Sequence, residues 1–317
     1  MSNGLRAIKA LAASALIGVF SSDVASAQSF PEQPISVVVP FGPGGQTDIV
    51  GRLLATAMTK ELGQQVTVVN KAGGGGVIGT AEIAAAKADG YKLVLTTSTP
   101  LVQRPNLVET PYQVESFDYI CRVYNNPLLF AVKKGSEINS VEALVNAAKS
   151  GTKVIYGSSG DGSVQHVAML QLAEQAGLEM GHVPSEDVVN LRNILSGVLT
   201  GTLLPASVMV ANADTIEPIG VMNEERLQSF PDVPTFAEAG YDINAAVWGV
   251  LAAPKGLEEG VLTTLRESCE AAQNSEEFKA DVVKMGMEPV FLSGADTEAF
   301  VIKENDILKS VLKDIKR

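Results

Sequence analysis

Three short stretches of the chain carry residue types that can hold an anion without a counter-charge. The first is Phe41-Gly42-Pro43-Gly44-Gly45, placed between the β-branched run Val37–Val39 with Pro40 and a helical pattern opened by Asp48, with apolar residues at Ile49, Leu53, Leu54 and Ala57. Its glycines and prolines let the backbone run close to a small molecule. The unpaired N–H groups at the start of the helix point to the same spot, which suits a negative charge. Open α/β sheets place their ligands there, beyond the carboxyl ends of strands. The competing reading is a plain tight connection between strand and helix.

The second stretch is Gly73-Gly74-Gly75-Gly76, between the strand pattern Gln65–Asn70 and the helical pattern Thr80–Ala88. Each glycine costs backbone entropy, so four in a row make sense if the main chain itself touches something. Gly74, Gly76 and Gly79 match G-x-G-x-x-G, but on the second strand-to-helix turn, whereas the dinucleotide fingerprint belongs on the first. No G-K-[ST] follows, which removes a nucleotide phosphate loop. The third stretch is Gly157–Ser163, after Lys153–Tyr156 and before a helical pattern over Val164–Ala176. Ser158, Ser159 and Ser163 add hydroxyls to the N–H groups of this turn around Gly160, although plain helix capping competes for a serine at a helix start. His166, early in that helix, either orients a ligand or is a satisfied structural histidine. Asp161 would repel an anionic ligand unless it points away.

Catalytic chemistry has little to build on. The chain has two histidines, His166 and His182. No Cys/His/Asp/Glu group shows zinc spacing, and there is neither a G-x-S-x-G elbow nor an Asp-rich calcium loop. Asp48 can be read as an acid, but directly after a glycine turn a helix cap or an anchor for the loop amides is the better reading. An enzyme, a cofactor and a metal are therefore not expected.

The surrounding elements agree with a ligand-holding scaffold. Strand, turn and helix alternate from Ile35 to about Ala88, Lys92–Thr97 is a further buried strand, and Ser140 is placed to cap a helix over Val141–Lys149. Leu128–Val132 and Val247–Ala252 are apolar runs, and from Glu258 onward the pattern is mainly helical with a short strand at Pro289–Leu292. Such alternation predicts mostly parallel sheets. At the N-terminus, Arg6 and Lys9, the small apolar stretch Ala10–Phe20 and Ala25-Ser26-Ala27 read as an export signal cleaved near Ala27. The stretch is too short for a permanent membrane span. An exported, periplasmic chain that is not membrane-embedded is expected.

The formal net charge is −12, and loss of Arg6, Lys9 and Asp23 with the signal makes it about −13. That excludes nucleic acid, which demands a basic patch. It also means that a bound carboxylate must be held by local donors such as glycine-turn amides. Cys121 and Cys269 form either one disulfide or two buried thiols.

PFGPGGQTD, NKAGGGGVIG, YGSSGDGSVQH, FPDVPTFAEAGY and WGVLAAPKG occur in this order along the chain. In this the chain resembles the Bug or TctC family, the periplasmic solute-binding receptors of tripartite tricarboxylate transporters, along essentially its whole mature length. The resemblance implies an α/β, type II periplasmic-binding-protein fold: two domains, mostly parallel sheets and a hinged cleft between them. It places residues 28–127 with 248–317 in domain 1 and 128–247 in domain 2, after a signal peptide over 1–27. It implies a small carboxylate bound by Phe41–Gly45, Asp48, Gly73–Gly76, Thr97, Ser98, Thr99, Ser158, Ser159, Gly160, Ser163 and His166. Delivery to the membrane permease subunits by a monomeric receptor follows. The alternative is a ligand-sensing module that presents the carboxylate to a sensor kinase. The chain departs from the family pattern at Ser185-Glu186-Asp187, at Gly201–Ala206 and at Gln103-Arg104-Pro105. The last puts an arginine beside the pocket, able to pair with a second carboxylate, or else simply solvated.

Overall fold

In the computed structural model, which describes residues 30–185 and 187–315, the β-branched run Ile35–Val39 becomes β1 at the centre of a parallel group. The expected export signal lies outside the described residues. β1 is followed by α1 (Gln46–Leu62), β2 (Val66–Asn70), α2 (Val77–Ala84) and β3 (Lys92–Thr97). A π-helical turn over Thr99–Gln103 runs into the single-turn α3 (Arg104–Leu107). The chain then continues through β4 (Phe117–Lys133), α4 (Val141–Lys149), β5 (Ile155–Ser158), α5 (Val164–Ala176), β6 (Gly181–Pro184) and α6 (Asp187–Leu195). Next come β7 (Gly201–Pro205), α7 (Ala206–Asn212), β8 (Ile216–Val221) and β9 (Ala246–Pro254). The C-terminal part holds α8 (Glu259–Asn274), α9 (Glu276–Lys284), β10 (Glu288–Leu292) and α10 (Gly294–Ile315).

Two sheets share β4. The first runs β2-β1-β3-β9-β4, with β10 also pairing β4, and the second runs β4-β7-β5-β6, with β8 also pairing β4. Each has a parallel core, β2-β1-β3 and β6-β5-β7, and the ladders of β4, β8, β9 and β10 are antiparallel. Phe117–Pro127 of β4 lies along β9, while Leu128–Lys133 lies along β7 and β8. One long strand thus serves both sheets.

Burial on both faces explains the composition of the central strands. One face of the first sheet packs Ile35, Val37, Val39 and Leu95 against α1 and α8. The other packs Val38, Val94 and Trp248 against α2 and α10, through Ile83, Val301 and Leu308. The second sheet is covered by α4 and α5 on one side and by α6 and α7 on the other. Close packing is visible at Gly51 of α1, where an added Cβ would lie 3.1 Å from Val39 Cγ2. Cys121 of β4 and Cys269 of α8 form a disulfide, so of the two readings open in the sequence the bonded one holds.

β3 and α5 coincide with the runs expected from sequence, and Ser140 caps α4 by accepting the Ala143 N–H. β4 is far longer than the apolar run Leu128–Val132 that announces it. Bulges between Tyr119 and Cys121 and between Arg122 and Tyr124 break the period-2 alternation in its first half.

Candidate functional site

The turn after β1 is held from behind. Asp48 is 3% exposed. Its Oδ2 accepts the Gly44 N–H at 2.9 Å, and its Oδ1 accepts from Asn70 Nδ2 at 2.8 Å and Arg52 Nη2 at 2.9 Å. Asn70 Nδ2 also donates to the Phe41 carbonyl at 3.1 Å. Burial works to raise the Asp48 pKa, but Arg52, the Gly44 amide and Asn70 outweigh it and hold the carboxyl below its usual value. The Asp48 oxygens are thus taken up in lashing the turn to β2. The helix itself starts at Gln46, with Gly45 at the N-cap position, two residues earlier than Asp48 suggests. On the outer side the turn is open: a Cβ on Gly42 or Gly44 would meet nothing within 4 Å.

All four glycines of the second turn have positive φ, at 137°, 60°, 66° and 92° for Gly73 to Gly76. Side chains rarely adopt that backbone, so the run has a conformational reason as well as any ligand role. Packing adds to it. A Cβ on Gly76 would lie 2.9 Å from Pro100 and 3.4 Å from Phe41 Cζ, so the first two turns touch. The Arg104 guanidinium lies against Gly75, its Nη2 2.5 Å from where a Cβ would stand.

The third turn is an internally bonded unit. Ser158 Oγ accepts the Gly160 N–H at 3.1 Å and lies 2.6 Å from His182 Nε2. Ser159 Oγ donates to Gln165 at 3.0 Å, and Ser163 caps α5 by accepting the His166 N–H at 3.3 Å. His166 Nδ1 accepts the Gly162 N–H at 3.0 Å. The His166 and His182 rings stack with centroids 4.0 Å apart and planes 12° apart, and His182 stacks in turn on Tyr156. Burial lowers both histidine pKa values; His182 lowers that of His166 further, and Asp161 partly opposes the shift at both. Asp161 points outward, its side chain 76% exposed, with Oδ1 3.8 Å from His166 Nδ1 and 3.5 Å from His182 Nδ1. Asp161, His166 and His182 lie as close together as metal ligands do. Nearly parallel ring planes, however, have no common in-plane point where one ion could meet both nitrogen lone pairs.

α3 connects the second and third turns. Arg104 rests on Gly75, and Leu107 packs on Gly162, where a Cβ would lie 2.8 Å from Leu107 Cδ2. Asn126 Nδ2 of β4 donates to Gln46 Oε1 at 2.7 Å and contacts Ser207 Oγ at 2.9 Å, tying the starts of α1 and α7 to the shared strand. Thr97 and Ser98 are buried at the end of β3, with Thr99 half-buried, and the Ser98 hydroxyl has no hydrogen-bond partner among the described residues. The contacts that Gln46, Asn126, Ser207 and His182 make near these turns were not readable in the sequence. His182 reaches the third turn only because β5 and β6 pair in register, Tyr156 opposite His182.

A cavity of about 370 Å³ lies elsewhere, lined by Arg122, Trp248, Glu224, Glu225, Glu288 and Glu304 among others. Its carboxylates outnumber its one guanidinium, so it disfavours an anion.

The chain matches the model of the tripartite tricarboxylate transporter family receptor over residues 50–316. The chain belongs to that family. It is 32% identical to Protein BugT of Bordetella pertussis over 92% of this chain and 93% of that protein. Among solved structures, a TctC solute-binding protein from Polaromonas is 28% identical, with a TM-score of 0.79 over 90% of this chain and 99% of that one. A protein from R. palustris solved with adipate is 27% identical, with a TM-score of 0.75 over 90% and 97%. The receptor thus has the mixed α/β fold of periplasmic binding proteins. Among the described residues, none of its helices is long and apolar enough to cross a membrane.

Proposed function

We propose that this receptor captures a small carboxylated metabolite at its glycine turns and delivers it to membrane permease subunits, without chemistry on the ligand. The observation that carries the reading is the contact of the first two strand-to-helix turns at Phe41 and Gly76, with α3 reaching from Gly75 of the second to Gly162 of the third. Backbone amides at such turns bind an anion without a counter-charge. To this site we also assign Ser158, Ser159, Gly160, Ser163, His166 and the Thr97–Thr99 segment, with Asp48 acting through the turn it holds. The adipate found in the R. palustris relative supports a carboxylate as cargo. In this reading the chain is a periplasmic monomer once residues 1–27 are removed. The segments 28–127 with 248–317, and 128–247, form two lobes that close by hinge motion on the strands they share.

Blocking the turn without straining it tests the assignment. Gly42 lacks a positive φ, and a Cβ there meets nothing within 4 Å. Gly42→Val is expected to melt cooperatively within about 1 kcal/mol of the wild type. Its affinity for any acid that stabilises the wild type should fall at least tenfold, measured by titration calorimetry after a thermal-shift screen of mono-, di- and tricarboxylic acids. Unchanged affinity in a folded variant moves the site away from this turn, and a wild type stabilised by no acid of the panel removes the carboxylate reading.

A further inference from the structure

Three uncharged side chains tie the two sheets together beside the first turn. Asn126 of β4 is fully buried where that strand passes from the first sheet to the second: it stands opposite Val247 of β9, and Leu128 already stands opposite Pro205 of β7. Its Oδ1 accepts the Ser207 backbone N–H at 3.3 Å. A backbone N–H can only donate, so the orientation of this carboxamide is settled. Asn126 Nδ2 then donates to Gln46 Oε1 at 2.7 Å and to Ser207 Oγ at 2.9 Å. The Ser207 hydroxyl passes its own hydrogen to Gln46 Oε1 at 3.0 Å. The knot closes on itself, with the Gln46 oxygen facing both donors.

Its ends belong to different halves of the molecule. Gln46 is the first residue of α1, directly after the Gly42–Gly45 turn, and α1 packs on the first sheet. Ser207 is the second residue of α7, which packs on the second. α1 has its own hold on β4, since Thr47 Oγ1 lies 3.2 Å from the Tyr124 hydroxyl. What the knot adds is α7. On that helix, Val210 Cγ2 and the Ala206 carbonyl oxygen lie 2.8 and 3.1 Å from where a Cβ on Gly286 would stand. α7 therefore also fits against the backbone just before β10, with no room for a side chain between them. Another polar link between the halves, from Asn223 Nδ2 to Glu288 Oε1, is long at 3.4 Å.

Resting on the reading of two lobes that close by hinge motion, we infer that Gln46, Asn126 and Ser207 form a latch that holds the lobes shut beside the first glycine turn. Asn126 stays with the shared strand, while Gln46 and Ser207 travel with their own helices. Opening the lobes breaks the Gln46–Ser207 bond and strips Asn126 of a partner on one side. Gln46 and Ser207 are thus positioning residues, and entry or exit of a ligand at the first turn waits on that step.

A distance between labels on the two lobes reads the latch without any ligand. The only two cysteines of the chain form the disulfide, so nitroxide labels can be placed specifically on Glu61→Cys and Lys149→Cys, at exposed positions of α1 and α4. Pulsed electron paramagnetic resonance of this labelled parent is expected to show mainly the distance of the closed structure. Ser207→Ala and Gln46→Ala, each added to the parent, should raise the ratio of long to short distances about 2- to 10-fold for each hydrogen bond lost, the worth of one neutral bond. Ser207→Thr keeps the hydroxyl and should stay near the parent ratio. Gln46→Glu/Ser207→Asp sets two carboxylates against each other and should open the lobes furthest. If the folded Ala variants keep the parent ratio while the carboxylate pair opens, or if the parent is already mostly open, the latch is overturned and the hinge stands. If even the folded carboxylate pair leaves the distances unchanged, the hinge reading falls and the latch with it. No acid is present in any sample, so the outcome is independent of the carboxylate reading.

Discussion

Two ionised groups near the turns show how little a residue type says without its surroundings. Asp48 stands three residues after Gly45 in the sequence, whereas Arg104 meets a glycine, Gly75, only in the fold. The first has its oxygens taken by Gly44, Asn70 and Arg52, while the second pairs with no acid among the described residues. Asp48 was legible as a loop anchor because it follows a glycine turn at the spacing of a first helical turn. The Arg104 position needed the fold, because the approach of α3 to Gly75 is a contact between segments far apart in the chain. His166 and His182 make a testable pair. Burial lowers both pKa values in the folded protein below an unfolded value near 6.5. Above that value neither state binds the protons. As the pH falls through it, the unfolded chain takes up protons that the folded chain refuses, so stability declines until the lowered folded values are reached. Denaturant melts between pH 7.5 and 5 should therefore show a shallower loss for His182→Asn than for wild type. Equal slopes would mean that the stacked pair does not carry the shift.

At the scale of elements, alternation of strand, turn and helix was readable where one strand ends and one helix begins, as at Lys92–Thr97 and Val164–Ala176. What escaped was the 17-residue β4, whose bulges scramble the pattern that would have announced it. Its partner choice is non-local as well: it pairs with β7, β8, β9 and β10, all far along the chain. The disulfide from Cys121 to Cys269 pins α8 to this strand across 148 residues of sequence. Closing so long a loop restricts the unfolded chain strongly, so the double variant Cys121→Ser/Cys269→Ser is expected to lose about 2–5 kcal/mol. Urea melts of the variant, compared with wild type in the presence and absence of reductant, check this. A variant as stable as the oxidised wild type would contradict it.

For the whole molecule, the account rests on where the ligand sits. The acidic cavity around Arg122, Glu288 and Glu304 shares no lining residue with the glycine turns. A chain of net charge −12 cannot draw a carboxylate by its overall field, so local amides must decide. The sequence made that chemistry visible, since glycine and serine were concentrated at three turns. The contacts among them were not visible, because they depend on Phe41 meeting Gly76 and on α3 meeting both Gly75 and Gly162. Hydrogen exchange with mass spectrometry, with and without saturating amounts of the acid that most stabilises the protein, reads this directly. The account predicts slowed exchange in the peptides covering 41–48, 73–79 and 158–166, with little change at 222–225 and 288–304. Protection confined to the latter segments, with the three turns exchanging as before, would contradict it.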